Sequence, residues 1–402
     1  MFQLVLFVIN PFLSLLFSLF IIQKGKCDRK NVHITYLIIS LFFAFLSYTQ
    51  QSTSLLGDTD IVRYYEQYKG CVELSILDPN LYYNMNILYI GFDLVSRLIV
   101  SFTGDVRFFS LFWTFLCYIL YFLSVENYIK YRRFELTRNN IFWFLLLSII
   151  SFQLFVQITE TYKQSVSFAL FFYGFSSYLL GNRKKVFVFI LLSFLSHISS
   201  ALLLIMFIPL LVGDRYSLVL LFLSFCIGYV GLMGIAAYFL SLINVDSYFF
   251  FLLSGKADKY GGDLDGFSIS MVFILQFLVL FFTYLYIKFY TRTPQYYINF
   301  FWPFLCILLL NISSPHNFDR FMNLGAFPIA MLFIDVLSLH PKKKELKKNI
   351  LLIFMLFMIF LNVRKTYFRT LDSSGYTSSY MNNSIINIVV APSFQYLNYG
   401  NE

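Results

Sequence analysis

Apolar residues run along this chain in long unbroken blocks separated by short polar clusters, from a first block at 2–22 to a last at 349–363. A block of about 18 residues or more crosses roughly 30 Å of hydrocarbon as a helix. With no water to satisfy the backbone, such blocks must be helical, because a membrane barrel would alternate apolar and polar positions. The pattern predicts spans at about 2–22, 33–49, 106–125, 141–159, 164–180, 216–242, 268–290, 298–312, 321–340 and 349–363. Two segments fit less well. Residues 84–104 are apolar on one face yet carry Asp93 and Arg97, and 186–212 is too long for one span, with His197 near its middle. The expected class is an all-α polytopic membrane protein of about 10–12 transmembrane helices, some of them short or re-entrant.

Composition agrees with this class. Of 402 residues, 59% are apolar and 13% charged, where a soluble domain carries about a quarter charged. The first block lacks a basic segment before it and a small-x-small cleavage site after it, so it reads as a retained helix and not a signal peptide. Five cysteines, Cys27, Cys71, Cys117, Cys226 and Cys306, are scattered without C-x-x-C spacing. Only Cys71 is expected in an exported loop, so neither a disulfide framework nor a zinc site is indicated.

The formal net charge of +9 changes meaning once its location is seen. Basic clusters occur at Lys24/Lys26/Arg29/Lys30, Lys130/Arg132/Arg133/Arg138, Arg183/Lys184/Lys185 and Lys342/Lys343/Lys344/Lys347/Lys348. The positive-inside rule places all four in the cytoplasm only if 84–104 is interfacial or re-entrant and 186–212 is a pair of short helices meeting near His197. The N-terminus, the loops 50–84 and 243–267, and the polar tail 364–402 then lie outside. Arg364, Lys365 and Arg369 run against that placement of the tail. The basic charge is thus topological, and nucleic acid is not an expected partner. No internal repeat or appended soluble domain is visible, and residues 1–402 read as one integral membrane domain.

Four polar constellations remain, all expected on the outer side. In Gly57-Asp58-Thr59-Asp60-Ile61-Val62-Arg63-Tyr64, a helix would put Asp60, Arg63 and Tyr64 on one face. A carboxylate beside aromatic rings suits a sugar, although a solvated loop with interfacial tyrosines has the same look. In Glu160-Thr161-Tyr162-Lys163-Gln164, the residues Glu160, Lys163 and Gln164 share a face, and a cation at a low-dielectric edge suits phosphate. A tight turn with an ordinary ion pair is the plainer reading. His197 sits in an apolar run, where a titratable ring is costly; it suits a general base, a diphosphate donor, or a neutral ring bonded to a neighbouring helix. In Pro315-His316-Asn317-Phe318-Asp319-Arg320, the residues His316, Asp319 and Arg320 again have i,i+3,i+4 spacing, and Arg320 offers a planar fork for phosphate. Asp319 would orient His316 or simply cap the helix. Gly-rich phosphate loops, H-E-x-x-H, G-x-S-x-G and soluble DxD sites are all missing from the sequence.

The order of these elements resembles the Wzy/EpsG-type polysaccharide polymerases over roughly residues 50–335. A G-x-D-x-x-x-Y-like segment (Gly57-Asp58-Thr59-Asp60, then Tyr64 and Tyr65) is followed by an R-Q-x-x-A-like helix start, here Lys163-Gln164-Ser165-Val166-Ser167-Phe168-Ala169. Next come an F-x-H-x-S-A-like element, Phe194 to Ala201, and an Arg opening a late helix, Arg320-Phe321-Met322-Asn323. Lys163 stands where the family pattern has Arg, keeping charge but losing the bidentate fork.

The resemblance implies a metal-independent, cofactor-free glycosyltransferase of GT-C-like fold in the bacterial inner (cytoplasmic) membrane, with its active site facing the periplasm. It would move a growing glycan from undecaprenyl diphosphate onto another lipid-linked repeat unit. Arg320 and Lys163 would hold the donor diphosphate, His197 or His316 would serve as base or diphosphate donor, and Asp60 would position the acceptor hydroxyl. Gln164, Glu160, Asp319, Arg63 and Tyr64 would complete the substrate surface. Implied partners are undecaprenyl-diphosphate-linked oligosaccharides and the lipid bilayer, with a chain-length regulator as a further candidate. An O-antigen ligase and a lipid-linked oligosaccharide flippase are the alternatives. The flippase has less use for large outer loops with charged clusters.

Overall fold

The computed structural model describes residues 2–24, 28–51, 60–134, 138–150, 155, 158–159, 161–231, 271–290, 298–338, 357, 379–380 and 390–398. Among them the fold is all-α, apart from a two-residue antiparallel pairing of β1 (Gln50–Gln51) with β2 (Ser379–Tyr380). The chain divides into two compact units, Met1–Ile198 with Ile359–Glu402, and Ser199–Met358. The loop 243–267 and, apart from residue 357, the span expected at 349–363 lie outside the described residues, and the tail 364–402 is described only at 379–380 and 390–398.

The first unit opens with a correction. The block at 2–22 is not one helix but two, α1 (Phe2–Ile9) and α2 (Pro11–Lys24). Asn10 Oδ1 accepts from Leu13 N at 2.8 Å as a cap, and Pro11 has no N–H to continue the ladder. The α1 helix folds back on α2, with the Phe2 and Phe17 rings 5.3 Å apart and Ser14 Oγ donating to Gln3 O at 2.6 Å. Apolar run length registers neither the cap nor the polar bonds.

The body of this unit is α3 (Arg29–Tyr48), α6 (Arg107–Arg132), α8 (Tyr162–Leu179) and α9 (Arg183–Ser196), each packed on the next, with α7 (Arg138–Ile150) against α2. Flat aromatic stacking joins α3 to α6: Phe43 lies on Tyr118 and Tyr36 on Phe122, each pair 4.7 Å between centroids. Small residues bring α8 against α9, where Ser193 Oγ donates to Ser167 O at 2.7 Å and Ser167 Oγ to Ser193 O at 2.9 Å. Close backbones with hydroxyl bonds across them are a usual way to join helices without a hydrophobic drive.

The two ends of this body differ. At one, Glu126 accepts from Lys130 Nζ at 2.6 Å and Arg29 Nη2 at 3.3 Å, and pairs with His33 Nε2 at 2.8 Å. Asn127 Nδ2 reaches Ser176 and Ser177 near the α8 C-terminus. Basic residues of the first three clusters therefore gather at one end. At the other, Asp105 accepts from Tyr48 OH at 2.6 Å and Arg107 Nη2 at 2.7 Å, closing α3 onto α6.

The ambiguous segment is α5 (Ile90–Thr103), too short at about 21 Å to cross hydrocarbon. Both its ends belong to the Tyr48–Arg107 end of the body. Gly91 meets the end of α9, where a Cβ would stand 2.9 Å from that of Leu195. Thr103 Oγ1 donates to Asp105 O at 3.3 Å. This helix lies across the body and does not run along it. The other ambiguous segment breaks at His197, whose extended backbone ends α9 before a 3-10 helix, Ile198–Phe207, begins.

In the second unit, α10 (Ile208–Val212) leads to α11 (Ser217–Val230), α12 (Met271–Tyr290) and the fully buried α13 (Trp302–Leu310). The span expected at 321–340 is two helices, α14 (Pro315–Asn323) and α15 (Ala326–Ser338), parted at Leu324–Gly325. Asp214 ties the chain before α13 into this unit, accepting from Asn299 N at 2.9 Å and Trp302 Nε1 at 3.0 Å. Lys288 Nζ donates to the Asp214 carbonyl at 3.0 Å. Gly228 lets α11 pass against the Leu309 carbonyl, which a Cβ would overlap.

Two described helices, Arg29–Tyr48 and Phe108–Arg132, are long and apolar enough to cross a bilayer. Shorter helices turn apolar faces outward: Phe187, Leu191 and Leu195 on α9, and Val219, Phe222 and Leu223 on α11, are all exposed. Contiguous apolar surface of this kind fits lipid better than water.

Candidate functional site

The segment 60–69 forms the helix α4 (Asp60–Lys69) against α5. Its first residue is Asp60, whose side chain lies outside the described residues, and Arg63 is exposed on it. Tyr64 is buried instead. Its ring lies 5.3 Å from Phe109 and 6.1 Å from Tyr162, in a cluster that also holds Tyr68 and Phe92. Arg63 and Tyr64 therefore do not present one common surface, as the helical spacing had suggested.

The cluster has a cation at its edge. Lys163, in the first turn of α8, holds Nζ 3.4 Å from the centre of the Tyr89 ring and 4.9 Å from that of Tyr64. Two electron-rich faces stabilise an ammonium where ordinary solvation is reduced. Gln164 beside it keeps a buried Oε1 with no hydrogen-bond partner. Glu160, expected to share this face, lies outside the described residues.

Behind the cluster is a network that the sequence reading passed over as a span irregularity. Asp93 is fully buried and accepts from Gln67 Nε2 at 3.0 Å, Asn86 N at 3.2 Å and Arg97 Nε at 3.3 Å. Arg97 Nη1 in turn donates to Leu81 O and Tyr83 O. The pair fastens the loop before α5 to α4 and α5. Its signal was present as an acid and a base at i,i+4 inside an apolar run, the spacing that lets them meet. The Tyr68 hydroxyl lies beside Asp93 and Ser96 without a hydrogen bond of ordinary geometry to either. Burial, then the Asp93 charge, push it well above the usual tyrosine range, and the same causes raise Tyr89. Both rings stay neutral phenols, Tyr68 beside Asp93 and Tyr89 under the Lys163 ammonium.

His197 is half-buried where α9 ends. Its N–H donates to Ser193 O at 3.0 Å and its carbonyl accepts from Ser167 Oγ at 3.3 Å. Lys163 and Ser167 are one turn apart on α8, so the lysine and the histidine backbone belong to the same end of this helix pair.

In the second unit, α14 carries His316, Asp319 and Arg320. The His316 side chain lies outside the described residues. Asp319 and Arg320 are both half-buried, and the Arg320 guanidinium has no hydrogen-bond or ion-pair partner among the described residues. A guanidinium offers a planar fork of donors that suits an anion. Ser314 precedes the helix as its cap residue, yet its hydroxyl makes no capping bond. Among the described residues no group of three His, Cys, Asp or Glu side chains could hold a metal ion.

The family model that matches the chain is that of the EpsG family, over residues 36–381. No curated protein and no solved structure matches it. The family and the apolar helices together mark a membrane protein of polysaccharide biosynthesis.

Proposed function

The chain belongs to the EpsG family, and from that premise we propose that it is a polytopic membrane glycan polymerase. It transfers a growing glycan from undecaprenyl diphosphate to a hydroxyl of another lipid-linked repeat unit at the periplasmic face. The bond between the anomeric carbon and the diphosphate oxygen breaks, a glycosidic bond forms, and the acceptor proton passes to a base. The lipid diphosphate leaves as an anion.

The family match carries the polymerase reading, and the cations support its chemistry. The reaction uses two lipid-linked substrates, and each unit offers a cation suited to a diphosphate. Arg320 in the second unit would stabilise the departing donor diphosphate, an electrostatic task. In the first, Lys163 within its tyrosine cage would hold a lipid diphosphate as a point charge. Asp60 would position or deprotonate the acceptor hydroxyl, and His197 or His316 would serve as the alternative base. Basic residues gathered at the Glu126 end would face the cytoplasm, and Lys163 and the Tyr64 cluster would then lie at the periplasmic end.

The test is a gel of surface polysaccharide from a strain lacking this gene, with and without a complementing copy. Single repeats in place of a ladder, with the ladder restored by complementation, are expected. Complete loss of repeats from the surface would point to a ligase or a flippase instead, and an unchanged ladder would reject all three.

A further inference from the structure

Among the described residues of the second unit, the buried side-chain atoms with no hydrogen-bond partner include Asn311 Oδ1, Ser314 Oγ and Asn317 Nδ2. Their residues are 2%, 5% and 7% exposed. They recur at every third residue through the turn that joins α13 to α14. Ser314 N donates to Asn311 O at 3.0 Å, and Phe318 N to Ser314 O at 2.9 Å, which fixes that turn. The Asn311 amide nitrogen is already committed to Ile307 O at 2.8 Å, so only its acceptor is left over. Buried polar atoms are nearly always satisfied by protein, water or ligand, and three orphans within seven residues call for an occupant.

The chemistry of the three atoms says which occupant. One can only accept, one can only donate, and one hydroxyl does either. A phosphate accepts but does not donate, and it would meet the Asn311 oxygen as a like partner. Sugar hydroxyls do both. Arg320, three residues beyond Asn317 on the same helix, supplies the charge that this set lacks. We propose that Asn311, Ser314 and Asn317 form a sugar-hydroxyl subsite beside Arg320, gripping the sugar that bears the lipid diphosphate. The proposal rests on the polymerase reading and names the part of the donor that this turn recognises.

The test uses the full-length protein in lipid nanodiscs with the variants Ser314→Ala and Asn317→Leu. Neither removes a side-chain hydrogen bond made among the described residues, so melting temperatures should match the wild type. Elongation of lipid-diphosphate-linked repeat units should show KM raised about tenfold by each variant, the loss of one neutral hydrogen bond to substrate. Saturation-transfer NMR with the free repeat-unit oligosaccharide, lacking lipid and diphosphate, should show binding to the wild type that each variant weakens. Unchanged KM and unchanged oligosaccharide binding would overturn the subsite, leaving water as the occupant. A lowered melting temperature with unchanged KM would also overturn it, as a structural role. If the wild type elongates nothing, the polymerase reading fails while the NMR still decides the subsite. Binding that depends on Asn317 sustains it, and binding indifferent to Asn317 removes it.

Discussion

Lys163 Nζ stands 3.4 Å from the centre of the Tyr89 ring, so the cation at the start of α8 is held by a residue from the turn that opens α5. The contact is local to the end of the first unit where α5 lies across the bundle. Replacing Tyr89 by Leu removes the ring face and should destabilise the purified protein by about 1–2 kcal/mol. Tyr89→Phe keeps the ring and loses the bond from Asn86 Nδ2, so it should cost less. A double-mutant cycle with Lys163→Met checks the assignment: the Tyr89→Leu effect should largely vanish when the ammonium is already gone.

Asp93 and Arg97 should behave as a buried pair whose members cannot be removed singly. Asp93→Leu strands Arg97, whose side chain is 12% exposed, and should cost about 3–5 kcal/mol. Adding Arg97→Leu should recover part of that loss. Denaturant unfolding of the purified protein, followed by tryptophan fluorescence, measures both variants.

Asp105 sets an acid limit on the same unit. Burial alone would raise its carboxyl, but hydrogen bonds from Arg107 and Tyr48, with the Arg107 charge, outweigh burial and hold it below the usual carboxylate range. A carboxyl depressed in the folded state adds stability above its unfolded value of about 4 and loses it as pH falls through the folded value. Melting temperature should therefore drop below about pH 4, and Asp105→Asn should lower the neutral-pH plateau and flatten that drop.

Gly228 faces the Leu309 carbonyl too closely for any side chain. Gly228→Ala must push α11 off α13 and should cost about 1–3 kcal/mol. The amount of folded protein recovered from membranes at matched expression reads this out, and Ala at the open position Gly70 serves as the control.

Much of this architecture is written in the sequence, but unevenly. Apolar run length marks α3 and α6 well, because a long buried helix needs little else. It joins α1 to α2 wrongly, because the break depends on a cap at Asn10 and on Gln3 reaching Ser14 and Ser18, which hydropathy does not register. Charge placement led to the reading of 84–104 as a segment that does not cross, and α5 has its two ends at one end of the bundle. The break at His197 was legible as an oversized run with a polar residue in its middle. Arg320 was legible because Pro315 marks a helix start just before it. Asp93 was legible in its i,i+4 pairing with Arg97, but its bond from Gln67 was not, nor was Tyr89, whose role comes from the distant Lys163. The orphaned atoms at Asn311, Ser314 and Asn317 could not be read at all, because a sequence does not show what fails to find a partner.

The most direct measurement compares wild type with Arg320→Ala in a strain lacking this gene, at matched abundance in the membrane, by the length of surface polysaccharide on a gel. If Arg320 holds the donor diphosphate, the variant leaves single repeats where the wild type restores a ladder, a loss of elongation of about a hundredfold or more. A full ladder from Arg320→Ala would mean that the diphosphate is held elsewhere and that the role given to α14 is wrong.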